Sequence, residues 1–143
     1  MKPVSLVVVT LLLGGLFAAG CQPAASPGAS KEAAITVQKQ EGSPSLLTLS
    51  EHAAQRLGVT TAEVRQVSGR PLIPYAAIIY DAEGSTWVYT ASAARTFQRA
   101  PIVVDIIKGD DAILTDGPAA GTAVVTVGAA QLYGAETGVG GGH

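Results

Sequence analysis

The chain of 143 residues has one cysteine, one methionine, two histidines and only 5% aromatic residues. A single thiol excludes a disulfide within the chain, so stability has to come from burial. Two histidines, His52 and His143, lie far apart and beside no cysteine pair. They exclude a zinc site of ordinary ligand spacing, and no metal ligand set is expected. Net charge is also nearly lacking: nine basic residues stand against eleven acidic ones, for a formal charge of −2. Counterion release at nucleic acid needs a basic surface, so a nucleic-acid partner is excluded. Serine in a G-x-S-x-G elbow, a P-loop and the alternating carboxylates of an EF-hand are all absent. The closest serine context is Gly84-Ser85-Thr86, inside a turn with no base in reach. No catalytic residue and no cofactor follow from the sequence.

What is present is organised by apolar runs and turn residues. Met1-Lys2-Pro3 is a short positive start, and Val4 to Phe17 is an apolar run too short to span a bilayer comfortably. Residues 1–20 therefore read as a secretory signal peptide. Ala18-Ala19-Gly20-Cys21 resembles a bacterial lipobox, which implies that Cys21 is lipidated and becomes the mature N-terminus. Several acyl chains hold a protein on a membrane stably, so the expectation is a lipid-anchored protein on the periplasmic side of the envelope. Gln22 after the cysteine favours the outer membrane over the inner. Residues 21–44 are rich in Ala, Ser, Pro, Gly, Gln and Lys and read as a flexible tether. Its reach is roughly 25–30 Å as a coil. A tail over 137–143, with its GVGGGH end, is expected to be disordered as well.

Between them, residues 45–136 have the punctuation of an all-β domain. Leu46 to Leu49 is a short strand. Ser50 and Gly58 suit the two ends of a short helix over Glu51 to Leu57, the one helix expected. Val59 to Val67 is extended, and Gly69-Arg70-Pro71 breaks it. Tyr75 to Tyr80 and Thr86 to Thr90 form a hairpin across Asp81 to Gly84, which suits a type I turn closed by glycine. Thr96 to Ile107, Ala112 to Thr115 and Ala123 to Val127 are further strands, with Pro101 marking an edge or bulge. Ile102-Val103-Val104 and Val124-Val125 are apolar on both faces. In so small a domain, burial of both faces predicts a sheet closed into a small antiparallel barrel. Trp87 is expected to be substantially buried in it.

Three stretches, in order, resemble one family. Leu49 to Val64 (LSEHAAQRLGVTTAEV) is similar to the opening of the membrane-proximal part of periplasmic adaptor subunits, the membrane fusion proteins of resistance–nodulation–division (RND) efflux pumps. Ile73 to Tyr80 followed by Gly84 to Tyr89 (IPYAAIIY, GSTWVY) resembles that family's hairpin. Phe97 to Val104 (FQRAPIVV), the Asp116 to Gly121 loop (DGPAAG) and Val124 to Ala129 (VVTVGA) resemble its closing segment, with the heavy-metal branch nearest in flavour. Pro118 departs from the family's leucine. Only five residues separate Val67 from Ile73, where a whole adaptor carries its lipoyl-like and helical modules. The resemblance therefore implies the membrane-proximal β-domain alone.

It implies docking to an RND inner-membrane transporter, to a full-length adaptor, or to both, with Arg95 and Arg99 as candidate partner-binding residues. The other reading is a stand-alone envelope lipoprotein that binds a small solute or metal in the barrel mouth, through Tyr75, Tyr80 and Tyr89.

Overall fold

A computed structural model describes residues 34–138. The signal peptide, Cys21, the first part of the tether and His143 lie outside the described residues. The described chain is built from ten strands and two α-helices.

The β1 strand (Ile35–Gln40) pairs antiparallel with β2 (Ser43–Leu49), Val37 opposite Leu47. This places ordered structure ten residues before the expected start of the domain. The sequence signal was weak because only Ile35 and Val37 in β1 are apolar; they alternate, and both pack beneath Leu47 and Leu49. Helix α1 (Glu51–Leu57) forms where its end signals sit. The Ser50 hydroxyl accepts the Ala53 N–H at 3.2 Å, and Gly58 closes the helix in the left-handed conformation at φ 58°.

The segment expected as one strand over Val59 to Val67 is two, β3 (Thr60–Glu63) and β4 (Arg65–Val67), bent at Val64. That bend turns the chain from one end of the sheet to the other. The strand order is β3-β10-β7-β8-β9-β5-β4, where β5 is Arg70–Pro74, β7 Thr86–Ala93, β8 Thr96–Lys108, β9 Asp111–Asp116 and β10 Ala123–Val127. The first and last members of that order are separated along the chain by Val64 alone. Its N–H donates to Thr122 O and its carbonyl accepts from Gly121 N, both at 2.9 Å. The sheet thus curls into a half-barrel, barrel-like as expected but with its end strands β3 and β4 not paired to one another.

Gly69 turns the chain, but Arg70 and Pro71 belong to β5 rather than to a break. Tyr75–Ala77 is a 3-10 turn and only Ile79–Tyr80, named β6, pairs with β7. The hairpin turn forms as expected: Gly84 N–H donates to Asp81 O at 3.1 Å, with Gly84 at φ 84°. A second helix, α2 (Ala129–Thr137), was not expected.

Side chains alternate across the sheet, and residues in register share a face. Val88 and Val124 point into the curl with Val64, Ile73, Ile102 and Leu114. Their neighbours Tyr89 and Val125 point outward, where α1 and α2 cover them together with Leu47, Phe97 and Leu132. Two cores on one sheet explain the doubly apolar strands at Val88-Tyr89 and Val124-Val125. The long strand β8 links them. It runs beside β7 throughout its first half, with β2 on its other flank as far as Gln98 and β9 from Val103 onward. Pro101 falls in the gap between those two neighbours, where its missing N–H removes no ladder bond to β2 or β9.

Candidate functional site

On the outer face, the register Trp87–Pro101 and Tyr89–Arg99 lines four side chains up on one side of β7 and β8. The last turn of α2 lies over part of this row. The fully buried Tyr89 donates its hydroxyl to Glu136 Oε2 at 2.5 Å. Arg99 Nε stands 3.2 Å from the same oxygen, with the Arg99 side chain 20% and the Glu136 side chain 6% exposed. The contact is ionic and off the N–H line, so the buried Nε–H has no hydrogen-bond acceptor. The guanidinium carbon instead lies 4.3 Å from the Trp87 ring centre and 5.7 Å from that of Tyr133. Burial, then the bond to Glu136, pushes the Tyr89 phenol far up.

Trp87 is half-buried rather than sealed in the core. Its indole N–H donates to Asp81 Oδ2 at 2.7 Å, while Asp81 Oδ1 accepts from Glu83 N and Ser85 N. The Trp87 bond is the main reason that the Asp81 carboxyl is held below its ordinary value. One carboxylate therefore shapes the hairpin turn and fixes the indole.

Beyond α2 the outer face is bare. An open groove of about 550 Å³ runs between the Gly84–Trp87 end of the hairpin and Pro101–Val104 of β8. Ile102 belongs to the inner core, so Pro101 and Val103 face outward, with Val103 53% exposed. Two register shifts follow along β8. Ile113 lies between the inward Ala112 and Leu114, so it points out and takes its partners Ile106 and Leu72 with it. Trp87, Pro101, Val103, Ile106, Ile113 and Leu72 make one apolar strip across the sheet, in which Pro101, Val103 and Ile106 are exposed, Trp87 and Leu72 are part-buried and Ile113 is buried among its neighbours. Ion pairs Arg70–Asp105 and Arg65–Asp111 span the same strands. The expectation that both faces of Ile102-Val103-Val104 would be buried fails here: Ile102 and Val104 pack inside and Val103 meets solvent.

The two arginines singled out from sequence have different fates. Arg95 occupies the β7–β8 turn at φ 59°, half-exposed and 3.9 Å from Glu51 of α1. Arg99 is committed to Glu136 and Trp87, so it anchors α2 instead of facing a partner freely. The three tyrosines do not converge. Tyr89 is sealed under α2, whereas Tyr75 and Tyr80 are 44% and 51% exposed and neighbour one another. His52 is an exposed residue of α1. No group of three or more metal-ligating side chains occurs among the described residues. The apolar strip itself was missed from sequence. Its signal, the run Ile102 to Ile107, reads the same whether its second face is covered or bare.

No family model, no curated protein and no solved structure matches this chain.

Proposed function

We propose that this chain is a lipid-anchored envelope protein that works by protein–protein docking, as a reduced or accessory periplasmic adaptor of an RND-type efflux system, with the heavy-metal branch as the nearest relation. The observation that carries the reading is the divided outer face of the sheet. One half is covered by the chain's own helices, and the other presents an apolar strip that neither helix covers, with Pro101, Val103 and Ile106 exposed along it. Contiguous exposed apolar surface of this kind marks an interaction site. The order and spacing of LSEHAAQRLGVTTAEV, IPYAAIIY and FQRAPIVV support the choice of an adaptor. The lipobox-like AAGC supports an anchor that would keep the domain at a membrane face.

Metabolic labelling with a radioactive fatty acid, in the full chain and in Cys21→Ser, tests the anchor. Affinity capture of the tagged chain from cross-linked, detergent-solubilised envelopes tests the partner. Enrichment of an RND transporter or a full-length adaptor is expected. Its absence, in a preparation where the lipidated chain is intact, overturns the adaptor reading.

A further inference from the structure

This inference rests on the docking reading and names the partner's chemistry. We infer that the strip from Trp87 to Leu72 receives a protein segment whose aliphatic side chains are flanked by lysine or arginine. The charges around the strip carry the argument. Its cations Arg65 and Arg70 are already engaged by Asp111 and Asp105. The carboxylates of Glu83, beside the groove, of Asp110, in the β8–β9 turn, and of Asp116, in register with Val103, form no ion pair among the described residues. Lys108, at the end of β8, is a cation beside them that likewise forms no ion pair among the described residues. An apolar strip rimmed by unpaired acids favours a basic, aliphatic partner and repels an acidic one.

The mode is packing against the face, and strand addition is opposed in the gap of β8 on its β2 and β9 side. The β8 edge between Gln98 and Val103 has no partner strand on the β2 and β9 side, but Pro101 sits in that gap and offers no N–H. The side chains of the strip, in contrast, stand in register over β8, β9 and β5 and offer knobs at strand spacing.

The chain's only tryptophan lines the groove, so its emission reports occupancy directly. The full chain is titrated with a synthetic leucine-rich peptide flanked by lysines, and with its glutamate-flanked twin. The expected result is a saturable change in Trp87 emission with the lysine peptide, about tenfold weaker binding of the glutamate twin, and loss of affinity with added salt. Val103→Asp and Ile106→Asp should abolish the response. Both sites are exposed, and unchanged far-UV circular dichroism checks the fold. Asp116→Lys with Glu83→Lys leaves the apolar strip intact and should reverse the peptide preference.

Equal binding of the two peptides, no binding of either, or a response that survives Val103→Asp overturns the inference. So does a dimer by sedimentation equilibrium that Ile106→Asp dissociates, which would make the occupant a second copy. A Trp87 response to phosphatidylglycerol vesicles matching that to the peptide would make it a lipid surface, with the same consequence. The two readings fail separately. If Val103→Asp/Ile106→Asp protein still captures a transporter, this surface is wrong and the adaptor reading stands. If the peptide preference holds and no transporter is captured, the surface stands and the adaptor reading falls.

Discussion

Arg99 sits where two readings of the protein part, since it is either a free partner-binding cation or the anchor of α2. Its replacement by alanine decides between them. Glu136 is close to the C-terminal end of α2, where a negative charge opposes the helix dipole. Its carboxylate is only 6% exposed, so it needs a cation. Removing one partner of a fully buried pair costs about 3–5 kcal/mol. Arg99 is one-fifth exposed and Tyr89 still donates to the carboxylate, which reduces the electrostatic loss to about 2 kcal/mol. Loss of the cation–π contact with Trp87 adds about 0.5–1 kcal/mol. Arg99→Ala should therefore lower unfolding stability by about 3 kcal/mol. Glu136→Gln keeps an acceptor for Tyr89 and should cost about 1 kcal/mol.

The double variant should lose less than the sum of the two, with a coupling of about 1–2 kcal/mol. Urea unfolding followed by far-UV circular dichroism measures all four corners without relying on the Trp87 signal, which the substitution itself disturbs. A loss below about 0.5 kcal/mol for Arg99→Ala, with coupling indistinguishable from zero, would refute the anchor. Arg99 would then be an ordinary solvated strand residue, open to a partner.

Alkali should act through Tyr89. Its folded phenol lies far above the ordinary value of 10.0, so the neutral form is favoured by the fold; that stability is complete below pH 10 and declines as the pH rises beyond it. Absorbance at 295 nm should show Tyr89 ionising only together with unfolding. Acid acts in the opposite sense through Asp81, whose folded value is lowered from 3.8. Its contribution is present above that value and lost as pH falls through the lower folded one, and Trp87 emission should shift in that window as the indole loses its acceptor. At Gly117 an added Cβ would lie 2.7 Å from Leu114 Cδ1 and 3.3 Å from Ile102 Cγ2, both in the inner core. Gly117→Ala should cost about 1–3 kcal/mol through overpacking, measured by the same urea titration, and Leu114→Ala should relieve part of the clash in the double variant.

The parts of the fold legible in the sequence are those fixed by local chemistry. Ser50 and Gly58 mark α1 because capping satisfies backbone groups within a turn of the chain. Asp81 and Gly84 mark the hairpin for the same reason. The strand β1 was illegible because its two apolar residues gain their meaning from Leu47 and Leu49 across a hairpin. Helix α2 was illegible for a stronger reason. Its N-cap is Gly128, which offers no side-chain cap, and Gly134 interrupts it, so intrinsic propensity is poor. What holds it is tertiary: the buried Leu132, and a hydrogen bond from Tyr89, 47 residues away in sequence. The apolar strip depends on the same non-local fact. Val103 and Val125 look alike in sequence, and only the position of α2 decides that one is covered and the other is not.

The treatment of strand edges follows the same division of the molecule. The bend at Val64 joins β3 and β4, the ends of the strand order, directly along the chain. At β1, which pairs with β2 alone, the exposed residues are Thr36, Gln38, Lys39 and Gln40, a polar and charged edge that discourages pairing with another chain. In the gap along β8, Pro101 removes the donor that an added strand would need. Association through backbone pairing is thus opposed at each of these places by a different device. The outer face of β8, β9 and β5 has no such protection, since Val103 and Ile106 stand exposed in the middle of strands and not at their frayed ends. A chain that blunts these edges and leaves one face apolar is suited to side-chain packing against a partner of fixed shape. Specificity then rests on the pattern of charges around the strip, which is why reversing Glu83 and Asp116 should change the partner preferred and leave the fold intact.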